Sequence, residues 1–207
     1  MARPKSSSSE RDSTLDKGEA ILQGAMQEFL QHGYAGTSMD RVAKAAGVSK
    51  ATIYSHFEDK EGLFAMLVKK LAEQKMMTVF GSTPLEGDPE VVFRKLMTNA
   101  LKQISCDEEH RSYIRLIMGE SERFPALARS FVKYQAKPPV DLLSQYLASC
   151  DELDIPDPVA MARILIAAMI HYVQIQILLD GGDIMPMDSD RYIDSLVHLI
   201  ALSRKKQ

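Results

Sequence analysis

Between Gly33 and Lys60 the chain reads GYAGTSMDRVAKAAGVSKATIYSHFEDK, and its closing residues Lys50, Thr52, Tyr54, His56 and Lys60 each supply an ammonium, hydroxyl, phenol or imidazole group. Groups of this kind donate hydrogen bonds to phosphate oxygens, which fix position, and to base edges, which report sequence. Lys50, Ala51 and Tyr54 stand where base edges would be reached, and Thr52, His56 and Lys60 suit phosphates. The chain offers no nucleophile beside a base, no phosphate-cradling loop and no metal-ligand spacing, so no catalytic residue, cofactor or metal is expected. Glu108, Glu109, Glu120 and Glu122 read as a solvated face, and His110 and His198 have no partner at ligand spacing.

Two short helices around a tight turn would position these side chains. Thr37 is expected to cap the first, with Asp40 returning the cap, while Val42, Ala43 and Ala46 give it an apolar underside. Gly47 ends that helix, Val48 fills the space between the two, and Ser49 caps the second, on which Ile53 and Phe57 repeat four apart. A second helix after a short Gly-containing turn is the helix-turn-helix geometry that lays a recognition helix in the major groove.

At these residues the chain resembles TetR-family transcriptional regulators. The shared pattern runs from Phe29, Gly33 and Tyr34 through Thr37, Ala43, Ala46, Gly47 and Val48 to Ile53, Tyr54, Phe57 and the Lys60-Glu61 pair. The resemblance implies base or groove contacts from Lys50, Ala51 and Tyr54, phosphate contacts from Thr37, Thr52, His56 and Lys60, and a dimer interface built from the last two helices. Two residues depart from the pattern. Gly24 replaces a helix-favouring residue, which at an exposed position costs ~1 kcal/mol against Ala, and Met39 stands where a β-branched or polar residue is common.

Length and charge agree with this reading without carrying it. The 207 residues suffice for a small domain joined to a larger one, and the net charge of −3 divides weakly: residues 1–75 hold 11 Lys+Arg against 10 Asp+Glu, the remainder 14 against 18. Cys106 and Cys150, far apart and without metal spacing, read as ordinary thiols of a reduced cytoplasmic protein, with a redox-sensing pair as the alternative. Residues 1–14 lack an apolar core for a signal peptide and read as a disordered tail, in which Arg3, Lys5 and Arg11 could reach a minor groove.

The expected fold is all-α: a helix-turn-helix domain over residues 15–61, then an antiparallel helical bundle over 62–207, about nine helices in total. Asp16 with Glu19 starts helix 1, whose apolar residues Ile21, Leu22, Ala25, Met26, Phe29 and Leu30 recur as far as Gly33. Asp59, Asp88-Pro89, Asp107, Asp157-Pro158 and Asp188 mark later helix starts, and Pro138-Pro139 interrupts a helix begun at Pro125. The stretch from Val159 to Leu179 approaches a membrane span in length, but Arg163, His171, Gln174 and Gln176 lie within it and no basic flank orients it, so no membrane partner is expected. Burial in a homodimer, together with the helix from Tyr192 to Leu202, accounts for it instead. His171 is expected as a core or interface histidine.

RLIMGESERFPALARSF, residues Arg115 to Phe131, resembles the regulatory domain of TetR-family repressors that govern efflux pumps and respond to apolar or aromatic compounds. That resemblance implies an effector site between helices 5 and 8, with Met97, Leu101, Ile117, Met118, Phe131, Tyr134 and Tyr172 as candidate lining residues. The leading expectation is therefore a repressor that leaves a palindromic operator in double-stranded DNA when a small apolar or aromatic effector binds. The rivals are a TetR-like DNA-binding protein acting through a protein partner, and a helical enzyme with a vestigial helix-turn-helix.

Overall fold

The computed structural model describes residues 7–82 and 84–205, with side chains from residue 17 onward. Its helices are α1 (Ser7–Gly36), α2 (Met39–Ala45), α3 (Lys50–His56), α4 (Lys60–Phe80), α5 (Pro89–Cys106), α6 (Glu108–Glu120), α7 (Pro125–Phe131), α8 (Lys137–Ser149), α9 (Pro158–Val173) and α10 (Ser189–Leu202). Among the described residues the only β-structure is an isolated bridge between Leu153 and Arg204. The α1 backbone is helical from Ser7, inside the stretch expected to be disordered. Arg3 and Lys5 lie outside the described residues, as do the side chains of Arg11 and Asp16.

The aspartates expected as helix starts act as caps: Asp59 accepts from the Gly62 N–H, Asp88 from Glu90 and Val91, Asp107 from His110, Asp157 from Ala160 and Asp188 from Arg191. Each satisfies a backbone donor that a helix N-terminus leaves open. Pro138 and Pro139, expected to interrupt a helix, instead fall in the first turn of α8. The residues before them, Val132–Ala136, form a π-helical turn that runs from α7 into α8 without a break.

Two compact units emerge, and their division differs from the boundary expected at residues 61 and 62. One comprises the chain to Leu71 together with Leu116–Phe131; the other comprises Ala72–Arg115 and Val132–Gln207. In the first, Ile21, Leu22, Ala25, Met26 and Phe29 of α1 are buried with Val42, Ala43, Ile53, Leu63, Phe64, Leu67 and Val68. Tyr34 joins them, with its ring 5.5 Å from Phe29, 5.4 Å from Phe64 and 4.8 Å from Phe124. Gly24 is buried here, and its role is close approach: a β-carbon on it would lie 2.8 Å from the Ala46 backbone nitrogen. In the second unit α8 packs on α9 and α10 on α5, around Phe93, Leu96, Leu143, Leu147, Leu165, Ile193 and Ile200.

Within that second unit His110 is 8% exposed. Burial and the nearby Lys75 charge, opposed by Asp107, pull its pKa from 6.5 down to about 4.

Gly24→Ala should destabilise the protein by about 1–2 kcal/mol, since overpacking against Ala46 outweighs the gain in helix propensity. An unchanged or raised melting temperature would contradict this. The unfolded chain takes up the His110 proton near pH 6.5 and the folded chain only near 4, so the unfolded state binds more protons across that window and stability falls as pH drops through it. Urea unfolding of His110→Gln should show a shallower decline between pH 6.5 and 4 than the wild type; parallel curves would contradict the assignment.

Candidate nucleic-acid interface

The turn between α2 and α3 depends on Gly47, which takes φ +66°. Its N–H bonds the Lys44 carbonyl at 3.2 Å while the Val48 N–H bonds the Ala43 carbonyl at 3.0 Å, the paired closure of a glycine C-cap. Ser49 then caps α3 as expected, accepting from the Thr52 N–H at 3.0 Å, and its hydroxyl lies 2.8 Å from that of Thr52. Ile53 is fully buried and turns the opposite face of α3 outward. On that face Lys50 and Ala51 are exposed, Tyr54 is 47% exposed, and Thr52 and His56 are half-buried.

Lys50 is not free in the absence of DNA. Its ammonium sits 2.8 Å from the Asp40 carboxylate of α2, which raises the lysine pKa above its ordinary value through the hydrogen bond and the opposite charge. Both partners are largely exposed, so the pair is weak and exchangeable for a phosphate. Arg41 is held similarly: its Nε donates to Glu28 at 2.9 Å, and its guanidinium contacts the His32 ring. Arg41 and Lys44 are two further exposed cations of the helix-turn-helix, both on α2.

Two residues expected at phosphates have other partners. Thr37 does not cap α2: Ser38 does, accepting from the Arg41 N–H at 3.3 Å. The Thr37 hydroxyl is instead buried, pointing at the Gly33 carbonyl (2.8 Å) and the Glu28 carbonyl (2.9 Å) of α1. The Lys60 ammonium donates to the carbonyls of Tyr34 (2.7 Å) and Thr37 (2.8 Å) and lies 4.4 Å from the centre of the Tyr34 ring, and desolvation lowers its pKa. Thr37 thus ties the entry of α2 to the end of α1, and Lys60 ties the start of α4 to both.

The residues proposed for an effector divide between the units. Met97, Leu101 and Tyr172 share the core of the second, where the Tyr172 phenol donates to the Met187 carbonyl at 3.2 Å. Tyr134 is half-buried in the π-helical turn, with Lys133 4.8 Å from its ring centre. Ile117, Met118 and Phe131 belong to the first unit, and Met118 is 58% exposed. His171 is exposed on α9 rather than buried in the chain's own core. No group of three or more metal-binding side chains occurs among the described residues.

Residues 21–67 match the family described as bacterial regulatory proteins, tetR family, and residues 93–202 match the AefR-like transcriptional repressor C-terminal domain. The chain belongs to the TetR family of transcriptional regulators. It is 34% identical to the regulator AcrR of Shigella flexneri over 49% of this chain and 48% of AcrR, so the match spans about half that relative's length. With the repressor AcnR of Corynebacterium efficiens identity is 30%, over 66% of this chain and 78% of AcnR. Among solved structures, the flavonoid-responsive regulator FrrA superposes with a TM-score of 0.78 at 27% identity, covering 92% of this chain and 98% of FrrA. TetR-family regulators bind operator DNA and act as dimers, and these relatives regulate transcription rather than catalyse reactions. The enzyme alternative falls on that finding.

Asp40→Asn releases Lys50 and removes a negative charge beside it; if this face lies on phosphates, the change should tighten binding to any duplex by roughly 2–5-fold. If Tyr54, exposed on the outer face of α3, reads base edges, Tyr54→Ala should weaken operator binding more than binding to unrelated duplex. Fluorescence anisotropy with both duplexes checks the pair. Unchanged non-specific affinity in the first variant, or equal losses on both duplexes in the second, would contradict the assigned roles.

Proposed function

We propose that the protein is a cytoplasmic, ligand-responsive repressor that holds a palindromic operator as a homodimer and leaves it when a small apolar or aromatic effector binds the second unit. The observation that carries the reading is the likeness, over nearly the whole chain, to FrrA, a regulator described as responsive to flavonoids. The AefR-like repressor match over residues 93–202 supports the sense of regulation, and the joint burial of Met97, Leu101 and Tyr172 supports an apolar sensor. Residues of α4 belong to both compact units, so this helix is the covalent route by which a change of packing around the effector reaches α3.

Dimerisation through α9 and α10 is supported by what the single chain leaves uncovered. Only 17% of the apolar window within Pro158–Leu178 is buried, and Val159, Ile164, Ile170, Leu199 and Leu202 are all about half exposed or more. Arg163 and His171 interrupt that exposed face, which fits a protein surface better than lipid. Leu196 is a poor probe of the interface because it is buried in the chain's own core. Leu199 faces outward and is a clean one.

Leu199→Asp should shift the protein from dimer to monomer in sedimentation while leaving its helical content intact, and a wild-type dimer would place the interface elsewhere. An effector found by thermal shift among hydrophobic and aromatic compounds should lower operator affinity by a factor of roughly 5–150, and operator DNA should lower effector affinity by the same factor. If no such compound shifts the melting temperature, the reading fails and regulation through a protein partner replaces it.

A further inference from the structure

Three polar atoms in the second unit are buried without a hydrogen-bond partner: His110 Nδ1, the Tyr113 hydroxyl and Gln135 Oε1. His110 is 8% exposed and Tyr113 fully buried, and both lie on α6 with their rings stacked at 5.7 Å. Gln135 reaches His110 from the π-helical turn, its Nε2 3.4 Å from His110 Nε2. If the glutamine amide donates to Nε2, the imidazole proton is on Nδ1, leaving an unmet donor there and an unmet acceptor at Oε1. If the amide is turned over, Nδ1 becomes the unmet acceptor and the amide N–H groups the unmet donors. Either assignment leaves one donor and one acceptor beside a phenol that also lacks a partner.

An unsatisfied buried polar group is destabilising, and three on neighbouring residues are expected where something else completes them. We infer that His110, Tyr113 and Gln135 are the polar anchor of the effector site and that they select a neutral, hydroxyl-bearing aromatic ligand. This rests on the effector reading above and adds the ligand's chemistry to it. A hydroxyl both donates and accepts, which matches what the cluster lacks, and the His110–Tyr113 ring pair offers an aromatic surface beside it. A charged ligand does not fit, because the neighbouring charges, Lys75 and Asp107, already pair with each other at 2.5 Å.

The test measures binding of para-propylphenol, para-propylanisole and propylbenzene by calorimetry to the full-length wild type and to Tyr113→Phe and Gln135→Leu. The wild type should bind the phenol at least about ten-fold more tightly than the ether, the discrimination expected of a site built to bond a hydroxyl. That ratio should fall towards one in both variants. Ligand-free Tyr113→Phe should melt higher than the wild type, since it removes an unpaired buried hydroxyl and keeps the ring. A lower melting temperature for Tyr113→Phe, or a phenol preference that survives in both variants, overturns the inference. Equal binding of phenol and ether to the wild type, or binding of none of the three compounds, overturns the anchor, whereas the effector reading beneath it falls only if the wider set of hydrophobic and aromatic compounds also gives no thermal shift.

Discussion

The Lys60 ammonium, held between the carbonyls of Tyr34 and Thr37 and against the Tyr34 ring, is the contact on which the DNA-binding unit depends. Gly33 adopts φ 70° and ψ 170°, a conformation open essentially to glycine alone, and α1 kinks there. The carbonyls just beyond the kink cannot all find helical partners. Lys60, at the start of α4, takes two of them, while the Thr37 hydroxyl turns back to Gly33 and Glu28. The end of α1, the entry to α2 and the start of α4 are thereby fixed to one another, with Phe29, Tyr34, Phe64 and Phe124 packed around the junction. From α2 the Gly47 turn sets the direction of α3, so the recognition surface inherits its position from a partly buried cation.

The electrostatics of that surface are economical. A chain of net charge −3 cannot rely on overall attraction to DNA, and its exposed cations rest on carboxylates, Lys50 on Asp40 and Arg41 on Glu28. The Lys50–Asp40 pair lies in water, so it orients the lysine at little energetic cost and a phosphate can replace the carboxylate, whereas Glu28 is largely covered and holds Arg41 more firmly. If Lys50 meets a phosphate, its binding to DNA is an exchange of partners, which makes it sensitive to salt.

Local chemistry decides which features were legible in the sequence. The aspartate caps, the Gly47 turn, the Ser49 cap and the buried Ile53 depend on neighbours within a few residues, and spacing alone revealed them. Lys60 and Thr37 look like phosphate ligands in sequence because a lysine or a threonine beside a recognition helix has the same appearance whether it faces solvent or a backbone carbonyl, in the case of Lys60 one 23 residues away. Gly24 has the sequence signature of a weak helix residue, and only the Ala46 backbone packed against it gives its reason. Leu196 and Leu199 share an apolar periodicity, and only packing against α5 shows which of them the chain keeps for itself. The cluster of His110, Tyr113 and Gln135 was illegible because its third member arrives from a π-helical turn, whose register no periodicity announces.

The most direct test of the structural role of Lys60 is the salt dependence of operator binding by Lys60→Met, measured at a temperature where the variant is folded. A structural tie contributes to stability and releases no counterions. The variant should therefore lose about 1–3 kcal/mol of unfolding free energy while its slope of log affinity against log salt equals that of the wild type. A slope smaller in magnitude by about 0.9 for each lost phosphate contact, with stability unchanged, would show that Lys60 meets DNA instead.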